Sequence, residues 1–212
     1  GLHVYESGAV VLALEEDPHE PPARPFHVEA LPEEAAREAV RLARRLALPL
    51  EGYTADGGFF VEGDSPLLDA HQRLLGVEAE GADLLRLSSP LVRLQVLAEG
   101  EAPVERLLEA LPRGLQAHVA ESPKMPGVRF VSLTKEGVSK LSAARLVAEA
   151  YGLPLSECAM VGDGENDLEL LRAVGVGIAM GNAPPSVKRA AQRVVAPVEA
   201  CGLAEALRLL RG

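Results

Sequence analysis

The sequence predicts an α/β protein: a parallel-sheet core of Rossmann-like type, incomplete within these residues, that carries an inserted α+β domain. Three observations lead there. Residues 158–180 read as apolar strand, acidic loop, periodic helix and second apolar strand, which is a βαβ unit. From Val128 to the C-terminus, short apolar runs alternate with helical periodicity. Between two proline-rich seams, at 15–25 and 122–127, the pattern is instead mixed, with four strand-like runs and three helical ones.

Taken in order, residues 1–14 (GLHVYESGAVVLAL) read as two short strands around a turn at Ser7-Gly8 and are assigned to the core domain. Glu15–Pro25 holds four prolines, so it suits neither a helix nor a central strand, and residues 15–24 are assigned as a linker. Residues 25–121 form the predicted α+β cap. Its strands are expected at Phe26–Glu29, Gly58–Glu62, Leu91–Ala98 and Leu115–Ala120, and its helices at Pro32–Ala47, Pro66–Leu75 and Pro103–Leu111. Pro32 and Pro103 suit a first helical position, where the missing N–H costs nothing. Residues 122–212 are the predicted C-terminal half of the core. They run as a strand from Val128, helix 138–151, strand 157–161, helix 166–174, strand 176–180, helix 185–192 and helix 203–210.

Composition narrows the function. With 212 residues and 48% hydrophobic content the chain can bury a sizeable core. A net charge of −10 argues against a nucleic-acid or anionic-membrane partner, and the longest apolar runs are far shorter than the roughly 20 residues a bilayer needs. Two cysteines, Cys158 and Cys201, are too few for a disulfide scaffold and point to a reducing, cytoplasmic setting.

The chemistry concentrates in Gly162-Asp163-Gly164-Glu165-Asn166-Asp167, directly after a predicted strand. Ligands of open parallel sheets bind at the carboxyl ends of strands. Flanking glycines allow close backbone approach, and Asp163 is a hard oxygen donor of the kind magnesium takes together with phosphate oxygens and water. The same residues also suit a capped helix start. Lys140, at the start of helix 138–151, is one of only four lysines against 17 arginines. It is either a solvated cation or, paired with the acidic loop, half of a clamp on a phosphate. Gly181-Asn182-Ala183-Pro184-Pro185 reads as a turn into a helix with proline at its start. The five histidines show no metal-ligand spacing, and Asp64, Asp69 and His71 read as a solvated helix end.

The stretch from Gly137 to Val195, with GVSKLSAARLVAEA, VGDGENDLELL and GIAMGNA, resembles the C-terminal part of the haloacid dehalogenase (HAD) superfamily, in particular its Cof-type sugar-phosphate phosphatases. Tyr5-Glu6-Ser7-Gly8-Ala9-Val10 is similar to the segment that precedes the cap in that family, with Ser7 in place of asparagine. The resemblance implies Lys140 as a catalytic, phosphate-binding lysine and Asp163 as a Mg²⁺ ligand. It also implies Asn166 as a substrate or phosphate contact and Asp167 as a supporting catalytic carboxylate. The implied substrate is a small phosphorylated metabolite.

The family's Asp-x-Asp nucleophile motif and its Thr/Ser motif are not found in residues 1–212, and the chain begins at Gly1. The expectation is therefore a Mg²⁺-dependent phosphatase whose nucleophile, the aspartate that would form an aspartyl-phosphate, lies upstream. This chain alone is expected to be inactive. The alternatives are a catalytically inactive binding or regulatory module of the same fold and a phosphorylation domain of the P-type ATPase kind, which shares GDGxND and Gly-Ile-Ala-Met-Gly.

Overall fold

The structure is a computed structural model that describes residues 1–14 and 23–211. The predicted linker 15–24 lies outside the described residues up to residue 22. The chain divides into two compact units, Gly1–Val138 and Ser139–Gly212.

The first unit opens with β1 (Leu2–Tyr5) and β2 (Val10–Ala13), an antiparallel hairpin whose register pairs Tyr5 with Val10, and β3 (Arg24–Val28) joins β2 antiparallel. The turn between β1 and β2 places Glu6, Ser7 and Gly8 at φ 49°, 59° and 104° in succession. Arg93 holds this turn through a 2.6 Å ion pair to Glu6. The unit continues with α1 (Glu33–Arg45), β4 (Leu50–Thr54), β5 (Phe59–Glu62), α2 (Pro66–Leu75), β6 (Glu80–Gly81), β7 (Leu91–Glu99), α3 (Ala102–Glu109), β8 (Leu115–Ser122) and β9 (Met125–Lys135). Strands β4 to β9 build one mixed sheet in the order β6-β5-β4-β7-β9-β8.

One face of that sheet is dry. Leu94, Val96, Val131 and Leu133 meet Ala36, Ala39, Val40 and Ala43 of α1, and Val104 and Leu107 of α3. On the other face Leu68 of α2 packs on Val61, Leu97 and Phe130.

Besides the two-residue β6, two features of the first unit depart from the sequence reading. Strand β4 was not expected, because Glu51 and Gly52 sit mid-strand and both disfavour an apolar strand pattern. Glu51 is fully buried and satisfied all the same: Tyr53 Oη donates to it at 2.8 Å, Gln95 Nε2 at 2.7 Å, and His71 Nδ1 lies 2.7 Å away. A Cβ at Gly52 would lie 2.9 Å from a Leu84 methyl group and 3.0 Å from a Leu91 methyl group, so a larger residue would push on both side chains. His71, read as a solvated helix end, is therefore a core residue.

The second departure is the seam at 122–127, which is the turn of the β8–β9 hairpin, with Ser122 opposite Met125 and Gly127 at φ 81°. Proline and glycine mark hairpin turns as readily as linkers. The strand from Val128 accordingly belongs to the six-stranded sheet, and the second unit starts at Ser139. Residues 1–14 fall in the first unit, where Ala9 and Val10 pack with Tyr53, Val92 and Val138.

The second unit comprises α4 (Lys140–Ala150), β10 (Ala159–Gly162), α5 (Leu168–Ala173), β11 (Val176–Ala179), α6 (Pro185–Ala190), β12 (Arg193–Val194) and α7 (Gly202–Leu210). Its sheet is parallel, in the order β10-β11-β12, as the βαβ reading required. Leu171 of α5 and Val187 of α6 pack with Ala179, while Ala206 of α7 packs with Ile178, Met180 and Val195.

Candidate active site

The parallel register pairs Gly162 with Ala179, so β10 and β11 end side by side. Asp163 follows one strand directly and Gly181-Asn182 follows the other closely. Met180 donates its N–H to Gly162 O at 2.9 Å, which locks the two exits together.

Asp167 organises the loop. It is 3% exposed, and each of its oxygens has work. Oδ2 accepts from the backbone N–H groups of Asp163 and Gly164, both at 3.1 Å, while its own N–H reaches back to Gly164 O at 3.0 Å. Oδ1 accepts from Lys140 Nζ at 2.6 Å. Such charge-assisted bonds in a low-dielectric setting are the strong ones. Gly162 explains its own identity: a Cβ there would stand 2.7 Å from both Cβ and Oδ2 of Asp167.

Lys140 is delivered by α4, whose start is fixed by a capping box. Ser139 Oγ accepts from Ser142 N–H at 3.1 Å, and Ser139 N–H donates to Ser142 Oγ at 2.8 Å. The Lys140 side chain keeps 35% exposure, so its ammonium meets Asp167 on one side and stays accessible on another.

Asp163 is exposed. Its Oδ2 accepts from Asn182 Nδ2 at 3.0 Å, and Oδ1 has no partner among the described residues. Asn182 Oδ1 in turn accepts from Val198 N–H at 3.1 Å. Asn166 is exposed, and Ser186 Oγ donates to Glu165 Oε1 at 2.9 Å. The structure thus gathers Lys140, Asp163 and Asp167 through direct bonds, with Asn166 on the same loop. Sequence reasoning took Asn182 for a turn residue. Its position one strand along from Asp163, at the end of β11, was the available signal.

No group of three His, Cys, Asp or Glu side chains converges here among the described residues. What the loop offers is one hard carboxylate oxygen, Oδ1 of Asp163, beside a cation. That donor set fits Mg²⁺, which takes one or two protein carboxylates and completes its shell with phosphate oxygens and water.

The sequence profile of haloacid dehalogenase-like hydrolases matches residues 23–207. The HMP-PP phosphatase of Cronobacter sakazakii is 31% identical over 137 residues, 62% of this chain and 48% of that protein. A phosphoglycolate phosphatase of Methanothermobacter thermautotrophicus is 34% identical over 82 residues, 39% of this chain and 37% of that protein. The chain therefore spans less than half of these curated relatives. A solved HAD subclass IIB sugar phosphatase superposes with a TM-score of 0.77 at 21% identity, covering 96% of this chain and 73% of that one.

Proposed function

The chain belongs to the haloacid dehalogenase-like hydrolases, and from that membership we propose that it is part of a Mg²⁺-dependent phosphatase that hydrolyses phosphate monoesters of small metabolites, sugar phosphates foremost. The observation that carries the reading is the single buried carboxylate of Asp167. It ties Lys140 to the backbone of the Asp163 loop, so a cation and a ligand-ready carboxylate are held together at the strand ends. The names of the relatives support the reaction class.

In this reading Asp163 holds Mg²⁺, which when bound neutralises charge on the phosphoryl group. Lys140 binds the non-bridging oxygens of that group, and Asn166 contacts the substrate. Asp167 does not meet substrate in this arrangement; both its oxygens are spent on positioning Lys140 and the loop. The attacking group would be the carboxylate of an aspartate in an Asp-x-Asp motif outside these 212 residues; it would displace the metabolite's alcohol from phosphorus, and water would then hydrolyse the aspartyl-phosphate to inorganic phosphate and the free carboxylate. The second unit is the proposed C-terminal half of the core, and the six-stranded sheet of the first unit is the proposed cap, extended from residue 121 to Lys135 by β9. Free Cys158 and Cys201 suit the reducing, cytoplasmic setting that belongs to the same proposal.

A panel of phosphorylated metabolites presented to the full-length protein tests this. Release of inorganic phosphate from at least one sugar phosphate is expected. A folded full-length protein that hydrolyses none would favour the binding-module alternative.

A further inference from the structure

Asp163 has two carboxylate oxygens, and the structure uses them unequally. Oδ2 is occupied by Asn182 Nδ2 at 3.0 Å, while Oδ1 meets no described residue. Asn182 is itself not free to turn away, because its Oδ1 accepts the Val198 N–H at 3.1 Å. Nor is the Asp163 main chain free to swing, since its N–H is bonded to the buried Asp167 carboxylate. A carboxylate held in this way presents Oδ1 as its uncommitted oxygen, while Oδ2 already shares a lone pair with Asn182.

That asymmetry bears on which cation binds. Mg²⁺ is small, demands near-ideal octahedral geometry and is served by single oxygens. Ca²⁺ takes six to eight oxygens in flexible geometry and readily accepts a carboxylate through both. We propose that Asn182 is a positioning residue that makes Asp163 a one-oxygen ligand, and so sets the preference of this site for Mg²⁺ over Ca²⁺. The inference rests on the assignment of Asp163 as the metal ligand made above.

The test is calorimetric titration of the full-length protein, without substrate, with Mg²⁺ and separately with Ca²⁺. Wild type, Asn182→Ala and Asp163→Asn are compared, and thermal melts in chelator confirm that each variant is folded. With Asn182→Ala, Mg²⁺ affinity should fall by about 10-fold, as for other groups that orient a metal ligand. Ca²⁺ affinity should fall less or rise, so that the Mg²⁺/Ca²⁺ affinity ratio drops. Asn182→Ser, too short to span to Asp163, should shift the ratio in the same direction. Parallel weakening of both cations would mean a merely structural role and would overturn the inference, as would unchanged affinities. If Asp163→Asn also left Mg²⁺ binding unchanged, the metal assignment itself would fall. If Asp163→Asn abolished binding while Asn182→Ala moved nothing, only the inference would fail.

Discussion

At the residue scale, the two charged groups of the site are built differently and should respond differently to removal. Asp163 is exposed and makes one side-chain bond, so Asp163→Asn should leave the fold intact and weaken Mg²⁺ binding. Excess metal should then restore part of the turnover. Lys140→Ala removes the charge that would meet the phosphoryl group. A loss on the order of 10²-fold in kcat, not restored by metal, is expected from single electrostatic donors. The same substitution strips the buried Asp167 of its cation, so the melting temperature should also fall, by less than breaking a fully buried pair would cost, because the ammonium is partly exposed and Asp167 keeps its two backbone N–H bonds. Metal titrations of turnover, paired with thermal melts, separate the two roles. Wild-type kinetics in both variants would return Lys140 and Asp163 to solvation and capping. Ser7 supplies an independent check: it sits at φ 59° without the tolerance of asparagine or glycine for that region. Ser7→Asn should stabilise the first unit modestly in denaturant unfolding, because asparagine adopts the left-handed region more readily. A neutral or destabilising result would show that the Ser7 side chain contributes more than its backbone costs.

At the scale of elements, the sequence was legible wherever burial was one-sided and failed where polar groups were buried. Helices α1, α2 and α4 and strands β7, β8, β10 and β11 fall where periodicity placed them, because each shows one apolar stripe or run to a neighbour. Strand β4 was hidden by Glu51, whose burial makes sense only once Tyr53, Gln95 and His71 are seen around it. Those partners lie on β4, β7 and α2, and no local pattern announces that they meet. Glu51→Ala should cost several kcal/mol, since it orphans three buried polar partners together. Glu51→Gln, which keeps the shape and one of the two acceptor oxygens, should cost less. Equal and small losses in urea titrations of both variants would contradict this account of the strand. Loop 29–31 and the end of β9 are joined by Lys135 Nζ, 2.5 Å from Glu29, which lowers the Glu29 pKa from its ordinary value. A lowered folded-state pKa means that the contribution is present above the unfolded pKa and lost as pH falls through the folded one. The pair is partly exposed and therefore small in effect. Glu29→Gln should flatten the stability profile below about pH 4.5 and leave it unchanged in shape at neutral pH. A profile of unchanged slope in that acid range would remove Glu29 from the linkage.

At the scale of the whole molecule, the acidic loop, the lysine and the parallel βαβ unit could be read from the sequence because they are contiguous or set by strand ends. The boundary between units could not: the prolines at 122–127 signal a chain reversal, and only strand pairing shows that the chain re-enters the same sheet as β9. Any exchange of the proposed cap must therefore run through Lys135. An exchange ending at residue 121 would separate β9 from β7 and β8, the two strands it lies between. Replacing 33–135, which leaves β3 with β2, by the matching segment of a relative should carry over that relative's substrate preference if the Asp163 loop binds the phosphate as proposed. Preference that stays with the second unit would contradict the cap assignment. The central claim is that the Asp167-centred arrangement of Lys140 and Asp163 serves metal-assisted phosphate-ester hydrolysis. Its most direct test is phosphate release from sugar phosphates by the full-length protein, measured before EDTA, after EDTA and after Mg²⁺ is returned. The account predicts turnover that disappears with chelation, recovers with Mg²⁺ and is crippled by Lys140→Ala; turnover that survives both EDTA and the loss of Lys140 would contradict it.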